Sequence, residues 1–274
     1  MGAKMSLTDN HLKIIETFLT EQDFPDLYKT YEWPPKKKKK NNDTWGKGFP
    51  QLYSLEKEIS AAARRHALNR DFLVKIKEWG GDNRTKNKVT WPHPDAIKLY
   101  EGNLPAEWLL RHPEQAISRL DSQIYQFGPT YCSKLLHFAV PQVCGALDTR
   151  LVQTFGLKAQ HYPLLKLKVT GRSDWGSPSI SKSKSGWPGE YGTWVLILQQ
   201  FAQMLNKNKN PCPHPEQYVI SGLRQRGQWL PADVETALFS YTFREMNDGN
   251  KIDCLRVQCD SNHIIKDRQE RWSK

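Results

Sequence analysis

The sequence has no long hydrophobic segment. No stretch of its 274 residues approaches the roughly twenty apolar residues that a membrane span requires. The N-terminus also lacks the apolar core of a secretory signal peptide. We therefore expect a protein without a membrane partner, located in the bacterial cytoplasm or elsewhere inside a cell, and monomeric. A chain of this length can bury a substantial core without disulfides or metal ions to staple it.

Cysteine is scarce, and its pattern excludes the common cysteine-based sites. The five cysteines are an odd number without a CxxC pair, and a disulfide framework is not expected in an intracellular protein. Zinc ligation by Cys212, His214 and the C-terminal Cys254, Cys259 and His263 is conceivable, but their spacings match no familiar zinc site. We expect no metal and no cofactor.

Acidic residues are fewer than basic ones. There are 29 Asp and Glu residues against 40 Lys and Arg, which gives a formal net charge of +11 and a pI near 9.3. Such an excess favours polyanionic partners through counterion release, although a merely soluble basic protein can have the same composition. The densest basic run, residues 36–40, follows two prolines and is expected in a loop. That loop is either a phosphate-binding arm or a solvated segment.

Apolar spacing predicts a mostly α-helical chain with little β-structure and no internal repeat. One or two helices are expected before the Gly80–Gly81 pair, and residues 164–169 are compatible with a strand or a helix. A strand is plausible at 252–257. The predicted helices cover residues 7–20, 54–79, 105–110, 112–125, 130–139, 149–154, 191–205, 215–225 and 230–244. Three regions follow from this pattern: an N-terminal helix with a basic linker (1–50), a helical domain (51–246) containing a hairpin at 114–140, and a tail (247–274).

One motif points to a specific chemistry. Residues 127–138 read FGPTYCSKLLHF, and LDTRL follows at 147–151. This resembles the helix-hairpin-helix plus Gly/Pro-Asp signature of the DNA glycosylase superfamily, and looks closest to bacterial stand-alone proteins with an 8-oxoguanine-glycosylase fold. Some of those act in defence against phages with modified DNA. The four-cysteine cluster of the iron–sulfur members of that superfamily is absent from this sequence.

The resemblance implies a two-lobed helical fold and a DNA N-glycosylase that acts on double-stranded DNA. Such an enzyme rotates a modified base out of the duplex, hydrolyses the N-glycosidic bond and leaves an abasic site. Asp148 would be the catalytic carboxylate that stabilises positive charge on the sugar. Asp148 also has an ordinary explanation, because aspartate is a preferred residue immediately before a helix.

The same resemblance assigns DNA contacts to the hairpin. Backbone amides around Gly128 and Pro129 would hold a phosphate, and Thr130, Lys134 and Arg150 lie close by in sequence. In bifunctional relatives a lysine at the start of the second hairpin helix forms a Schiff base with the sugar, and Thr130 stands at that position here. We therefore expect a monofunctional enzyme, with Lys134 open to a covalent role, a phosphate or pocket contact, or a surface position.

Aromatic residues supply the candidates for the base pocket. The segment 171–192, rich in Ser, Gly and Lys, is expected to be a long loop in which Trp175, Trp187 and Tyr191 stack on an extruded base or wedge the duplex. By resemblance, Glu235 and Phe239 would line the base pocket, although core packing also explains Phe239. His137 is expected in the core.

These expectations leave the substrate and the rival functions open. Hydroxyls and aromatic rings in the 171–192 loop favour a bulky base, such as glucosylated hydroxymethylcytosine of phage DNA, slightly over 8-oxoguanine. The same loop is equally compatible with simple phosphate contact. The alternatives are a non-enzymatic helix-hairpin-helix DNA-binding protein and an unrelated helical nucleic-acid protein.

Overall fold

The computed structural model describes residues 6–33, 48–81, 86–91, 97–100, 105–170, 179–181 and 186–245. This part of the chain is mostly α-helical and includes one two-stranded sheet, as the sequence predicts. The chain divides into two compact units, Met1–Ser240 and Tyr241–Lys274. Within the described ranges, no helix combines the length and apolar character needed to cross a membrane.

The described helices have the following order along the chain. They are α1 (Asp9–Glu21), α2 (Phe24–Lys29), α3 (Phe49–Arg64), α4 (Arg70–Trp79), a 3₁₀ turn (Lys86–Lys88), α5 (Pro105–Arg111), α6 (Pro113–Gln123), α7 (Gly128–Ala139), α8 (Thr149–Phe155), α9 (Gly189–Lys207) and α10 (Glu216–Ile220). Residues 231–245 are also helical and are called α11. Strands β1 (Val169–Thr170) and β2 (Ser179–Ile180) pair antiparallel.

An aromatic cluster anchors the N-terminal helices in the first unit. Thr8 caps α1, and Phe18 on its buried face is fully excluded from solvent. The ring centroid of Phe18 lies 4.7 Å from that of Tyr162 and 5.8 Å from that of Phe201 on α9. The N-terminal segment therefore shares a core with residues far along the chain, and α2 is a helix that the sequence did not predict.

A buried ion network connects α3 to α11. Arg224 Nε donates to both carboxylate oxygens of Asp233, at 2.9 and 3.0 Å, and the same guanidinium forms hydrogen bonds to both oxygens of Glu56. Burial by itself would raise the pKa of Asp233, but Arg224, His214 and the Leu230 amide together outweigh that effect and lower it to about 2. A charge network of this kind fixes the orientation of its partners, because each charge is buried without access to water.

Two predicted segments differ from the structure. The loop expected over 171–192 contains β2 and ends before α9, so Gly189 and Tyr191 are helical. The helix expected over 215–225 is only Glu216–Ile220 because Gly222, with φ +73°, and the turn around it stop the helix. Residues 164–168 form neither strand nor helix. The basic run 36–40 and the strand expected at 252–257 lie outside the described residues.

Helices α6 and α7 occupy the range of the predicted hairpin. Its turn contains two residues with positive φ, Gln126 at +59° and Gly128 at +65°. The buried Lys77 of α4 donates to the Gln126 carbonyl over 2.6 Å, and Tyr125 exchanges backbone hydrogen bonds with Thr90. The turn is thus held in place from outside the hairpin.

Candidate active site

A small pocket lies between α3, α4, α7, α11 and the segment before α8. Its empty space accommodates about one water molecule. Four aromatic rings and four ionisable side chains contribute to its wall. The lining residues are Tyr31, Trp33, Leu52, Trp79, Lys134, His137, Ala146, Asp148, Glu235 and Phe239. The sequence motif around α7 and Asp148 and the proposed pocket residues of α11 thus meet in one place.

The segment that carries Asp148 is fixed by three side chains. Tyr191 donates to the Gly145 carbonyl over 3.3 Å, and Trp194 Nε1 donates to the Ala146 carbonyl over 2.9 Å. Ser133 Oγ accepts from the Leu147 amide at 2.9 Å and lies 3.1 Å from the Leu147 carbonyl oxygen. Since all three partners are buried, residues 145–147 have little freedom to move relative to α7 and α9.

Glycine is required at position 145 by close packing. A Cβ atom at this position would lie 2.4 Å from Leu198 Cδ1 and 2.9 Å from Glu235 Cβ. Both distances are shorter than carbon atoms tolerate, so only glycine lets α9 and α11 approach the segment. This approach brings Glu235 next to the carboxylate of Asp148.

Asp148 is both a helix cap and a pocket residue. Its Oδ1 accepts hydrogen bonds from the amides of Arg150 and Leu151, at 2.9 and 3.1 Å, at the start of α8. Its other oxygen has no hydrogen-bond partner in the described part of the chain. The capping bonds therefore orient the carboxylate and leave one oxygen available to a ligand in the pocket.

Lys134 lies in the pocket and is not a surface lysine. Only 6 % of the residue is exposed, and its Nζ lies 5.1 Å from the ring centroid of Trp79 and 5.9 Å from that of Trp33. Burial lowers the pKa of Lys134, while the carboxylates of Asp148 and Glu235 oppose that shift. Thr130, which takes the lysine position of bifunctional relatives, is half-buried more than one turn earlier on α7.

His137 and Glu235 form a buried pair at the pocket wall. His137 Nδ1 lies 3.1 Å from Glu235 Oε2, and each side chain is more than nine-tenths buried. Burial raises the pKa of Glu235, an effect that the contact with His137 partly offsets. His137 is buried, as expected, but it also faces the pocket, a role that its apolar helix face did not indicate.

Aromatic side chains from three separate segments complete the wall. Tyr31 and Trp33 follow α2, Trp79 is the last residue of α4, and Phe239 lies on α11. The ring centroids of Trp33 and Phe239 are 5.7 Å apart. Trp33 Nε1 donates to the Trp79 carbonyl over 3.1 Å. The sequence did not indicate that Tyr31, Trp33 and Trp79 line the pocket. The only signal for the two tryptophans was the high number of tryptophans in the chain, which is ten.

The aromatic residues expected in the 171–192 loop have different positions. Tyr191 is fully buried in α9 with its hydroxyl on Gly145, so it supports the site from behind and cannot wedge DNA. Trp187 is half-buried just before α9, with its ring centroid 6.3 Å from that of Tyr191. Trp175 lies outside the described residues.

The predicted phosphate-binding turn lies at the start of α7. Gly128, Pro129 and Thr130 form its first turn, where no side chain caps the free amides. Gly128 is six residues before Lys134, or roughly 9 Å along the helix axis. Arg150, in the first turn of α8, lies with its guanidinium 5.9 Å from the centroid of the Trp33 ring.

A possible metal-ligand group occurs elsewhere in the described chain. Ligand atoms of Cys212, His214 and Asp233 lie within 4.8 Å of one another. However, Asp233 already accepts from Arg224 and from the Leu230 amide, and its Oδ2 lies 3.1 Å from His214 Nε2. The ion network explains this group without a metal ion. The other proposed ligands, Cys254, Cys259 and His263, are outside the described residues.

Comparison with protein-family models, with curated proteins and with solved structures finds no match to this chain. The function must therefore be argued from the chemistry of the pocket itself.

Proposed function

We propose that the protein is a DNA N-glycosylase that excises a modified base with Asp148 as its catalytic carboxylate. The observation that carries the proposal is the arrangement of Asp148: one oxygen is fixed by two amides, and the other is left for a ligand in an aromatic pocket that also holds Lys134. The net charge of +11 supports a polyanionic substrate.

The chemistry follows from the residues around the pocket. As the bond between C1′ and the base nitrogen breaks, positive charge develops on the sugar, and a carboxylate held nearby stabilises it. Asp148 also orients the water that attacks C1′. The aromatic rings of Trp33, Trp79 and Phe239 offer stacking surfaces for a base rotated out of the duplex.

Contact with the DNA backbone is assigned to the hairpin. The uncapped amides at the start of α7 can donate to a phosphate, because they point outward from the helix N-terminus. Such contacts position the duplex without reading its sequence. Recognition of the base is left to the pocket.

A second candidate activity is glycosylase with strand-cleaving lyase activity. It is favoured by the position of Lys134, whose amine is buried in the pocket and has a lowered pKa. Thr130, which stands at the sequence position of the lysine in bifunctional relatives, is not among the lining residues of the pocket. A lowered pKa makes the amine easier to deprotonate to the form that attacks the sugar carbon. Borohydride reduction separates the two candidates: hydrolysis by water gives no trapped protein–DNA complex, and strong trapping that disappears in Lys134→Ala assigns the lyase.

The nature of the base is a separate part of the proposal. The pocket has room for about one water molecule, so any base must displace side chains that now fill it. Trp33 is the wall residue next to the segment 34–47 that is outside the described residues. A bulky base, such as glucosylated hydroxymethylcytosine, and 8-oxoguanine are both candidate substrates, because the loop residues that favoured the bulky base are buried, half-buried or outside the described residues.

The test is an excision assay on two substrates side by side. The protein is incubated with oligonucleotides that contain 8-oxoguanine and with glucosylated phage DNA, and heat with alkali then reveals abasic sites. Abasic sites in either DNA, lost in Asp148→Asn, support the glycosylase. DNA binding without abasic sites in both would instead identify a non-enzymatic DNA-binding protein.

A further inference from the structure

The structure contains a second carboxyl group in the pocket whose role Asp148 does not explain. Glu235 extends from α11 into the same cavity, and its Oε2 lies 3.1 Å from His137 Nδ1. His137 Nδ1 makes no well-oriented hydrogen bond in the described part of the chain, so this contact is one of proximity, and the other Glu235 oxygen has no described partner either. A buried carboxyl group that is not paired with a cation is costly unless it is protonated.

The charges of the pocket favour a protonated Glu235. Two groups from α7 face it, His137 and Lys134, together with Asp148 before α8. Tyr31 after α2 and Tyr191 on α9 face it as well. The Lys134 ammonium can compensate the negative charge of one carboxylate. Asp148 is the better candidate for the ionised form, because its carboxylate also accepts hydrogen bonds from two backbone amides. Arg150 also lies near these groups, but burial outweighs the opposing contacts of Glu235 with His137 and Lys134 and raises its pKa.

We propose that Glu235 is the general acid of the excision reaction, with His137 as the residue that positions its carboxyl group. This inference rests on the proposed glycosylase function and deepens it. The two carboxyl groups then divide the work: Asp148 stabilises the sugar, and Glu235 serves the departing base. Environments that separate the protonation states of two nearby carboxyl groups are typical of acid–base pairs.

The proton transfer balances as follows. The C1′–N bond breaks, its electron pair passes to the base, and the base takes the proton from the Glu235 carboxyl. Water adds to C1′ and gives one proton to Asp148. The products are the neutral base and an abasic sugar, and proton exchange with solvent returns Glu235 to its acid form and Asp148 to its ionised form.

This role predicts a specific pH dependence. Because the reaction needs protonated Glu235, the single-turnover excision rate falls as pH rises through the raised pKa of this group. Contact with His137 lowers the pKa of Glu235, so its removal raises that pKa further. His137→Leu should therefore move the falling limb of the profile to higher pH. A merely structural role of His137 would lower the rate without moving the limb.

The experiment measures single-turnover excision against pH on whichever of the two modified DNAs the wild-type protein cleaves. Glu235→Gln keeps the size of the side chain and removes its proton, and we expect a fall in rate of about 10²–10⁴-fold with loss of the alkaline limb. Glu58→Gln, an exposed change on α3, is the matched control and should leave the profile unchanged.

The outcomes are distinct. No excision by the wild-type protein on either DNA rejects the glycosylase and this inference together. Excision with an unchanged rate and profile in Glu235→Gln rejects the general acid alone. Should Glu235→Gln fail to fold, judged by its melting temperature, the wild-type and His137→Leu profiles decide. A falling limb that moves upward supports the inference, and a missing or unmoved limb overturns it.

Discussion

Replacement of Asp148 by asparagine separates the proposed catalytic role of this residue from its capping role. Asparagine caps a helix about as well as aspartate, so both amide bonds to residues 150 and 151 can be kept. The substitution removes the negative charge, and Glu235, the other carboxyl group that faces the buried Lys134, can then ionise in its place. We expect the loss of helix-dipole stabilisation to cost less than about 1 kcal/mol, a Tm change of a few degrees at most.

The expected loss of activity is much larger than the loss of stability. A carboxylate about 4 Å from a developing positive charge contributes roughly 4 kcal/mol at the effective dielectric constant of a partly buried site. At about 1.36 kcal/mol per factor of ten, its removal slows excision by about 10³-fold. Binding to a duplex that contains a stable abasic-site analogue should change little, because we assign the phosphate contacts to the start of α7 and not to Asp148.

The assay is single-turnover excision, followed by alkaline cleavage and quantification of the shortened strand. Asp23→Asn is the matched control, because Asp23 caps α2 through the same kind of bond, 3.0 Å to the Asp26 amide, and is not a lining residue of the pocket. An excision rate for Asp148→Asn within tenfold of the wild type would refute the catalytic assignment. A large Tm loss in Asp148→Asn but not in Asp23→Asn would mean that the residue acts mainly in folding.

Four further outcomes are expected. DNA affinity should fall with salt with a log–log slope of several units, at about 0.9 per neutralised phosphate, and a flat titration would remove the nucleic-acid interpretation. Gly128→Ala, at φ +65°, should cost roughly 1–2 kcal/mol in the melting assay and weaken binding to all sequences alike; weakening at one sequence only would argue against a phosphate contact. Glu56→Gln should destabilise the protein by about 3–5 kcal/mol because it leaves Arg224 with one buried partner fewer, whereas the exposed Glu216→Gln should cost less than about 1 kcal/mol. Ser133→Ala should slow excision by about 10–100-fold at temperatures well below its Tm, because it removes the hydrogen bond from the Leu147 amide that holds the segment before Asp148. An unchanged rate would show that this hydrogen bond does not position the carboxylate.

The sequence determined the local parts of this protein. Apolar spacing and caps were sufficient for α1, α6, α7 and α8, because these depend on residues three or four apart, but they left open whether residues 54–79 form one helix or two. The position of Asp148 before α8 could be read directly, since capping is a local property. Gly128 and Pro129 likewise indicated a turn before α7, and the structure adds that Gly128 has a positive φ.

Only the tertiary structure decided what surrounds the carboxylate of Asp148. Trp33, Trp79 and Glu235 are separated by 46 and 156 residues along the chain, and no periodicity relates them. Tyr191 was expected on a loop because glycine and serine precede it, but its ring is buried in α9, where it bonds Gly145. Lys134 could not be distinguished from a surface lysine, because the burial of one side of α7 depends on α3 and α4 packing over it. Local spacing fixes which side chains share a helix face, whereas the fold decides whether that face meets solvent, core or pocket.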